Sequence, residues 1–292
     1  MATMRQIRSR IKTAKNIQQI TKAMKMVAAA RLKRAQDRVQ SARPYSDKMR
    51  EMMGSLGRAL AGGTASHPLL EVREPAVKAG FLIISADRGL CGSYSTNLLK
   101  KATEVTKDYA PENTRLFLAG RKGQIFFRRR PNPVVGEYVL NMTAVSFAEA
   151  QAIGRQVRQM YVSGEIDVFY LVYTKFRSAL VQRPAVIQLL PIVAEDALAA
   201  ADLPAGGEEY LFEPDAEGIL SRLLPRYVDT LIYQAMADSV ASEHGSRMTA
   251  MSSATDNAKK MISGLTLSLN RARQAKITTE LTEIVSGADA LQ

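Results

Sequence analysis

The residues best suited to chemistry gather in one short loop, Asp87–Gly92, which reads DRGLCG. The loop follows an apolar, β-branched run and precedes a helical pattern, which is where α/β folds often bind ligands. Cys91 is the single cysteine, and the nearby Arg88 and a helix N-terminus would both lower the pKa of its thiol. A nucleotide-binding or nucleophilic loop is therefore one hypothesis. The glycines Gly89 and Gly92 fit a tight turn with a structural role better.

The rest of the sequence lacks the partners that such a nucleophile needs. The two histidines, His67 and His244, fall in segments that read as surface, so neither is placed to act as a base for Cys91. The Walker A pattern does not occur, which argues against a P-loop ATPase. No group of His and Cys has the spacing of a metal site. The sequence therefore predicts no catalytic residue, no cofactor and no metal.

The net charge of +12 is confined to the start of the chain. Residues 1–50 hold 14 Lys and Arg against two acids, whereas residues 51–292 hold 26 of each sign. An acidic partner would meet this basic segment. It could be nucleic-acid phosphate, anionic lipid or an acidic protein cavity, and an acid-poor start also fits a transit peptide. The lack of aromatic residues before Tyr45 argues against base stacking.

The composition excludes several classes of protein. With 46% apolar and 23% charged residues, the 292-residue chain is neither collagen-like, nor wholly disordered, nor a disulfide scaffold. One cysteine cannot form an internal disulfide, which favours a reducing compartment. No apolar run approaches the roughly 18 residues that a membrane span needs. The opening MATMRQIRSRIK has no apolar core, so we expect no secretory signal.

Proline and glycine divide the chain into a middle and two helical ends. All 11 prolines fall between Pro44 and Pro225, and the first glycine is Gly54. Residues 1–43 therefore lack both helix breakers, and residues 226–292 lack proline. We predict a long helix at each end, about 65 Å and about 100 Å at 1.5 Å per residue. Pro225 is expected to cause a kink or a late start in the second helix.

Apolar residues in both end segments repeat at coiled-coil spacing. The predicted seam of the first segment is Ile7, Ile11, Ala14, Ile17, Ile20, Met24 and Ala28. The predicted seam of the second is Met248, Met251, Thr255, Ala258, Ile262, Leu265, Leu269 and Ala272. These spacings predict a long antiparallel coiled coil. The alternative is an ordinary bundle of two amphipathic helices.

The middle of the chain alternates between strand and helix patterns, which predicts an α/β layer with parallel strands. The predicted strands are 79–86, 116–120, 168–173 and 185–193, and the predicted helices are 96–109, 122–130 and 147–162. Residues 54–75 and 195–215 read as connectors. The expected division is a coiled-coil helix at 1–60, an α/β domain at 75–200 and a second coiled-coil helix at 210–292.

Long motifs resemble the gamma subunit of bacterial F-type ATP synthase over essentially the whole length. Met4–Arg50, with IRSRIK and NIQQITKAMKMVAAARL, resembles the N-terminal helix of that family. Ala86–Gly92 (ADRGLCG) is similar to its first strand–loop signature, and Ser242–Leu291 is similar to its C-terminal helix. QLLPI at 188–192 and YLFEPD at 210–215 also fit, and the motifs follow one another in order.

The resemblance implies a rotary shaft that carries no catalytic residue. The terminal helices would form a coiled coil inside a ring of three alpha and three beta subunits, with a Rossmann-like α/β domain between that ring and the c-ring. Proton-driven rotation of the c-ring would turn the shaft and drive ATP synthesis at the beta subunits. The implied partners are the alpha, beta and epsilon subunits and the c-ring, at the cytoplasmic face of the bacterial inner membrane, without membrane insertion.

The resemblance also assigns roles to individual positions. Arg273 and Gln274 match a polar catch for alpha- and beta-subunit loops, with a solvated helix face as the alternative. Met24 and Lys25 match a position that couples to an acidic beta-subunit loop, with seam packing as the alternative for Met24. The foot near the c-ring and epsilon subunit would comprise Arg43, Pro44, Tyr45, Tyr210 and Glu213. The remaining alternatives are a nucleic-acid-binding coiled coil, suggested by the basic segment, and a nucleotide-utilising enzyme.

Overall fold

The chain forms two compact units that share its two longest helices. The computed structural model describes residues 3–61, 67–139, 145–192 and 216–289. The first unit comprises Met1–Ala28 and Arg247–Gln292, and the second comprises Ala29–Ser246. Among the described residues, none of the helices is long and apolar enough to cross a membrane.

Both ends of the chain are long helices, as the distribution of proline and glycine predicts. Helix α1 spans Met4–Ala61 and contains 58 residues, and the last helix, α5, spans Ala216–Asp289 and contains 74. Each includes one proline, Pro44 and Pro225. The expected late start at Pro225 is wrong because α5 begins nine residues earlier. The predicted connector at 54–75 is wrong at its beginning, where α1 continues, and most of the connector at 195–215 lies outside the described residues.

In the first unit the two helices pack side by side in opposite directions. The hydroxyl of Thr255 donates to that of Thr21 at 2.8 Å, and Lys25 Nζ donates to Ser252 Oγ at 3.0 Å. Because the later residue of α1 meets the earlier residue of α5, the pair is antiparallel. All eight predicted seam positions of α5 are buried or half-buried, which confirms its heptad pattern.

The predicted seam of α1 is only partly right. Gln18 and Thr21 lie in the seam, whereas Ile17 and Ile20 are 47% and 59% exposed. A strict alternation of three and four residues from Ile7 reaches positions 18 and 21, and the isoleucines stand one residue before them. The apolar spacing alone therefore points to the wrong neighbours in these two turns.

The second unit contains a five-stranded sheet with helices between its first four strands. The strands are β1 (Ala79–Ile84), β2 (Thr114–Ala119), β3 (Val134–Tyr138), β4 (Val168–Phe176) and β5 (Gln182–Leu190). The helices are α2 (Tyr94–Thr106), α3 (Arg121–Phe127) and α4 (Phe147–Val162). A short 3₁₀ helix at Pro111–Asn113 precedes β2. The order across the sheet is β3-β2-β1-β4-β5.

The predicted α/β layer is correct, but the sheet is not wholly parallel. The pairs β1–β2, β1–β4 and β2–β3 are parallel, and β4–β5 is antiparallel. Only residues 177–181 join β4 to β5. A connection this short permits a hairpin but not the crossover that a parallel pair requires. The short strand β3 was not predicted, because VVGEY is interrupted by glycine and glutamate.

The core of the second unit lies on both faces of the central strand β1, whose six residues are all buried. Phe81 and Ile83 pack on one face with Leu98 of α2 and Leu116 of β2. On the other face the rings of Phe117 and Phe169 meet edge to face, with centroids 5.4 Å apart. A strand buried on both sides needs a continuous apolar run, which is why AGFLII was readable as a strand.

Candidate functional site

The outer surface of the paired helices in the first unit carries large apolar side chains among charged ones. On α1 the exposed apolar residues of this unit are Ile17, Ile20, Met26 and Val27. On α5 they are Met261 and Leu267 beside α1, and Ile277, Leu281, Ile284 and Val285 beyond the first residue of α1, where residues 273–286 are all exposed. We call these ten residues the apolar shaft face. Exposed apolar side chains in this number indicate a surface that contacts other proteins.

Basic side chains lie beside the apolar ones on α1. The exposed cations of its first half include Arg5, Arg8, Arg10, Lys12, Lys15 and Lys22. A surface of this kind suits a cavity that is apolar in places and acidic in others, since apolar contact is non-directional and the charges favour an acidic wall. The exposed isoleucines within it do not suit a surface that binds phosphate alone.

The predicted coupling position lies where the two helices meet. Met24 is half-buried on the seam side of α1, so packing against α5 accounts for much of its surface. Lys25 is exposed, and its ammonium group donates to Ser252 Oγ at 3.0 Å. The charge of Lys25 is therefore held near α5 while remaining accessible to a partner.

Arg273 and Gln274, the predicted catch, are both exposed on α5. Their helical turn continues into an exposed ion pair in which Lys276 Nζ lies 3.3 Å from Glu280 Oε1. An exposed pair of this kind contributes little to stability. The two catch side chains are thus available for contact with another molecule, and they lie well along α5 from Ser252, which Lys25 contacts.

The predicted foot is described only in part. Pro44 and Tyr45 lie within α1, both side chains are exposed, and that of Tyr45 is 51% exposed. The side chain of Arg43, and Tyr210 and Glu213 altogether, lie outside the described residues.

In the second unit, the Asp87–Gly92 loop is tied to the start of α3. Asp87 Oδ1 accepts a hydrogen bond from Arg121 N at 3.0 Å, which satisfies a first-turn amide of that helix. The hydroxyl of Ser85 accepts from Gly123 N at 2.8 Å. Gly120 adopts φ +96°, and a Cβ there would fall against the main-chain oxygen of Ser85. The carboxylate of Asp87 is therefore engaged in holding two segments of main chain together.

The remainder of the loop is shaped by unusual main-chain angles. Leu90 and Gly92 have φ of 62° and 57°, the left-handed region that glycine adopts most easily. Gly89 has no neighbouring atom within 4 Å of the place where a Cβ would stand. Its lack of a side chain is thus not required sterically, unlike that of Gly92, whose main-chain angle favours glycine. The exposed Leu90 holds its angle as a non-glycine residue, which costs free energy.

The thiol of Cys91 faces inward. Its residue is 3% exposed, and Sγ lies 3.7 Å from Arg88 O and 3.9 Å from Ser95 Oγ. A reactive thiol is normally partly exposed, so this geometry does not favour a nucleophile. Among the described residues, no group of three or more His, Cys, Asp or Glu could hold a metal ion.

The histidines do not share the predicted surface environment. His244 is only 2% exposed, and it lines a hollow with Arg31 and Tyr233, so the expectation of a surface histidine is wrong there. His67 is half-buried, and its Nδ1 accepts from Leu69 N at 3.1 Å. The error arises because α5 is polar around His244 in sequence, yet this stretch of the helix is buried within the second unit.

A buried polar cluster that the sequence did not predict holds α4 against α5. Arg158 on α4 forms an ion pair with Asp229 and donates to Pro225 O at 3.0 Å. We call these three groups the polar brace. Burial raises the pKa of the Asp229 carboxyl, and the hydrogen bond from Arg158 opposes that rise. A Cβ on Gly154 would collide with Asp229 Oδ1, so glycine is needed in the middle of α4.

Comparison with known proteins gives a consistent family. The family model described as ATP synthase matches residues 3–291. The ATP synthase gamma chain of Pelotomaculum thermopropionicum is 47% identical over 292 residues, which is the full length of both chains. That of Desulforamulus reducens is also 47% identical over 292 residues, again across the whole of both.

A solved structure has a similar fold. It is a chain in the Euglena gracilis mitochondrial ATP synthase, described as OSCP/F1/c-ring in rotational state 3. The TM-score is 0.71 at 20% sequence identity, and the match covers 99% of this chain and 94% of the other. At this identity the likeness establishes the fold alone: an α/β sheet accompanied by long terminal helices.

Proposed function

The chain belongs to the ATP synthase gamma chain family, and on that premise we propose that it is the central rotor shaft of an F-type ATP synthase. The observation that carries the proposal is the antiparallel helix pair of the first unit, which exposes the apolar shaft face along both helices. A shaft must resist twisting, which paired helices do. It must also turn against its surroundings, which non-directional apolar contact permits.

The chain itself is proposed to be non-catalytic. Its work is to present unequal faces to three beta subunits in turn, so that each beta site passes through conformations that bind ADP and phosphate, form ATP and release it. A rotor selects among these conformations only through differential contact with them. Interleaved basic and apolar side chains on α1 provide such differences, because an acidic loop is attracted where a cation passes and less so where Ile17 or Ile20 passes.

The partners follow from this role. We propose that the shaft is surrounded by three alpha and three beta subunits, and that the α/β unit binds the epsilon subunit and the c-ring. The complex would lie at the cytoplasmic face of the bacterial inner membrane, with this chain held there through the c-ring. The relatives compared above are all ATP synthase gamma chains, so they lend no support to the alternative of a nucleic-acid-binding coiled coil.

Specific contacts are part of the proposal. Arg273 and Gln274 would form the catch that meets alpha- and beta-subunit loops, which their exposure permits. Met24 and Lys25 would transmit the push of an acidic beta-subunit loop, with Lys25 steadied by Ser252. The foot toward the c-ring would include Tyr45, whose half-exposed phenol is available for contact.

Reassembly of the complex tests the proposal. The variant Arg273→Ala with Gln274→Ala should lower ATP synthesis while leaving the helix content of the chain unchanged, because both side chains are exposed. A matched control is Asn270→Ala with Arg271→Ala, which removes one arginine and one carboxamide side chain from exposed positions just before the catch.

Two results would contradict these assignments. Wild-type turnover of the complex that carries Arg273→Ala and Gln274→Ala would refute the assignment of these residues as the catch. Normal coupled synthesis by a complex assembled without this chain would refute the rotor function itself. Equal losses in the variant and the matched control would show that α5 is sensitive in general and that the catch has no special role.

A further inference from the structure

The sheet of the second unit has a crevice of the kind in which α/β folds bind ligands. The chain moves from β1 outward to β2 and β3, then returns to place β4 on the other side of β1. The carboxyl ends of β1 and β4 therefore form a switch point, where neighbouring loops leave in opposite directions. In this chain that point is bordered by the Asp87–Gly92 loop and by Thr174 near the end of β4.

The chain's own helix α5 lies at this switch point. Ser246 Oγ donates to Cys91 O at 2.7 Å, and Ser242 Oγ donates to Thr174 O at 3.1 Å. Thr174 N donates to Ser239 Oγ at 3.4 Å. The three serines are spaced three and four residues apart, so they share one face of α5. We call Ser239, Ser242 and Ser246 the serine junction.

Burial makes these hydrogen bonds necessary. Ser239 and Ser242 are both fully buried, and the hydroxyl of Tyr94 reaches the same helix, donating to Ser239 O at 3.2 Å. The buried phenol of Tyr94 has a raised pKa, chiefly because burial disfavours its charged form, so it stays a neutral donor. Polar groups in such a place must find partners within the protein, since an unmade hydrogen bond there is costly.

The serines also replace a missing strand. The ladder between β1 and β4 ends at the pair Ile83–Val172, two residues before Thr174. Both main-chain groups of Thr174 are instead satisfied by serine hydroxyls, one accepting and one donating.

We propose that the serine junction is the mechanical link that fixes α5 to the sheet and passes twisting force between them. This inference rests on the proposed rotor function. Packing of apolar groups alone is non-directional and allows a helix to slide or roll on its support. Hydrogen bonds to main-chain atoms of β4 and of the loop after β1 have fixed directions, so they oppose both movements. The crevice that holds a ligand in other α/β folds here holds the helix.

A first experiment asks whether the junction holds the helix. Ser239→Ala with Ser242→Ala leaves both main-chain groups of Thr174 without these partners. In the assembled complex, hydrogen exchange at the Thr174 amide should become about tenfold faster. The control is Ser253→Ala with Ser268→Ala, two exposed serines of the same helix, which should leave that amide unchanged. Unchanged exchange in the Ser239→Ala, Ser242→Ala variant would overturn the proposal.

A second experiment asks whether the junction carries force. When the subunit ring and its shaft are detached from the membrane, ATP hydrolysis rotates the shaft against no load. During ATP synthesis in vesicles, by contrast, the driving force reaches the shaft through the sheet. The junction variant should keep wild-type unloaded hydrolysis and lose synthesis when the proton gradient is limiting. Faster exchange at Thr174 combined with normal synthesis at every gradient would show a structural contact only. A parallel loss of hydrolysis and synthesis would show general damage and would equally overturn the mechanical role.

Two further comparisons complete the design. If the double variant fails to assemble, Ser246→Ala removes one half-buried contact, and exchange in the Asp87–Gly92 loop should then rise. No change in that loop would overturn the junction. If wild-type chain fails to restore synthesis to a complex that lacks it, the rotor function is wrong, and the exchange results still decide whether these serines hold α5.

Discussion

Replacing Gly154 by alanine tests the polar brace with a change of one methyl group. In the middle of a helix this substitution normally stabilises a protein, by roughly 0.5–1 kcal/mol, because glycine has more conformational freedom to lose. Gly154 lies in α4 beneath the ion pair of Arg158 and Asp229. The added Cβ would collide with Asp229 Oδ1 and stand 2.9 Å from Arg158 Nη1.

The cost of this collision exceeds the helical gain. The side chains of Arg158 and Asp229 are 16% and 3% exposed, so neither can swing into open water without disturbing its surroundings. Breaking a buried ion pair costs about 3–5 kcal/mol. After subtracting the helical gain, we expect Gly154→Ala to lower the free energy of unfolding by about 2–4 kcal/mol.

The assay is urea unfolding of the full-length chain, followed by far-ultraviolet circular dichroism, with hydrogen exchange to locate the change in α4 and α5. The matched control is Gly264→Ala, also within a helix, where no atom lies within 4 Å of the new Cβ. That control should be neutral or stabilising by up to about 1 kcal/mol. A stabilising effect at both glycines would refute the argument that the brace requires the gap at Gly154.

Three other substitutions test separate features. Gly120→Ala should destabilise the chain strongly, because φ +96° and the main chain of Ser85 both oppose a Cβ at this position. The expression level and an unfolding curve would measure the loss, and wild-type stability of the variant would contradict the prediction. Thr21→Val combined with Thr255→Val should lower the free energy of unfolding by less than the sum of the two single changes, because the double variant leaves neither hydroxyl without its partner. A double-mutant cycle would measure this difference, and strict additivity would count against the pairing. The pKa of Asp229 is raised in the folded chain, which means that folding favours the protonated carboxyl. The stabilisation from protonated Asp229 is therefore fully present below pH 3.8, and it is lost as the pH rises through the higher folded pKa. Asp229→Asn should remove that decline from the pH dependence of unfolding, and identical profiles would refute the assignment.

Much of the architecture was readable from residue types. The absence of proline and the scarcity of glycine at both ends predicted α1 and α5, because these two residues weaken a helix locally, whatever the rest of the chain does. The run AGFLII predicted a central strand, since only a strand buried on both faces needs an unbroken apolar stretch. Helix α4 begins at Phe147, as predicted, after a capping box formed by Ser146 and Glu149.

The features that escaped prediction depend on contacts between distant residues. The hydrophobicity of Ile17 and Ile20 pointed to them as seam residues, whereas the seam contains their neighbours Gln18 and Thr21, and Thr21 pairs with the hydroxyl of Thr255 on the other helix. Arg158 and Asp229 are 71 residues apart, so their pairing has no sequence signature. The serine junction was hidden for the same reason. Serines at helical spacing usually face solvent, and only the folded sheet shows that these are buried.

The outward position of Ile17 and Ile20 has a consequence for how the protein is made in the cell. In these two turns of α1, Gln18 and Thr21 face the partner helix, while the more apolar Ile17 and Ile20 face away from it. If the chain is the proposed rotor shaft, newly synthesised chains would expose Ile17 and Ile20 until partner subunits cover them, which favours aggregation or degradation of any surplus. Cells that produce this subunit in excess of its partners should accumulate it in inclusion bodies and clear it by proteolysis.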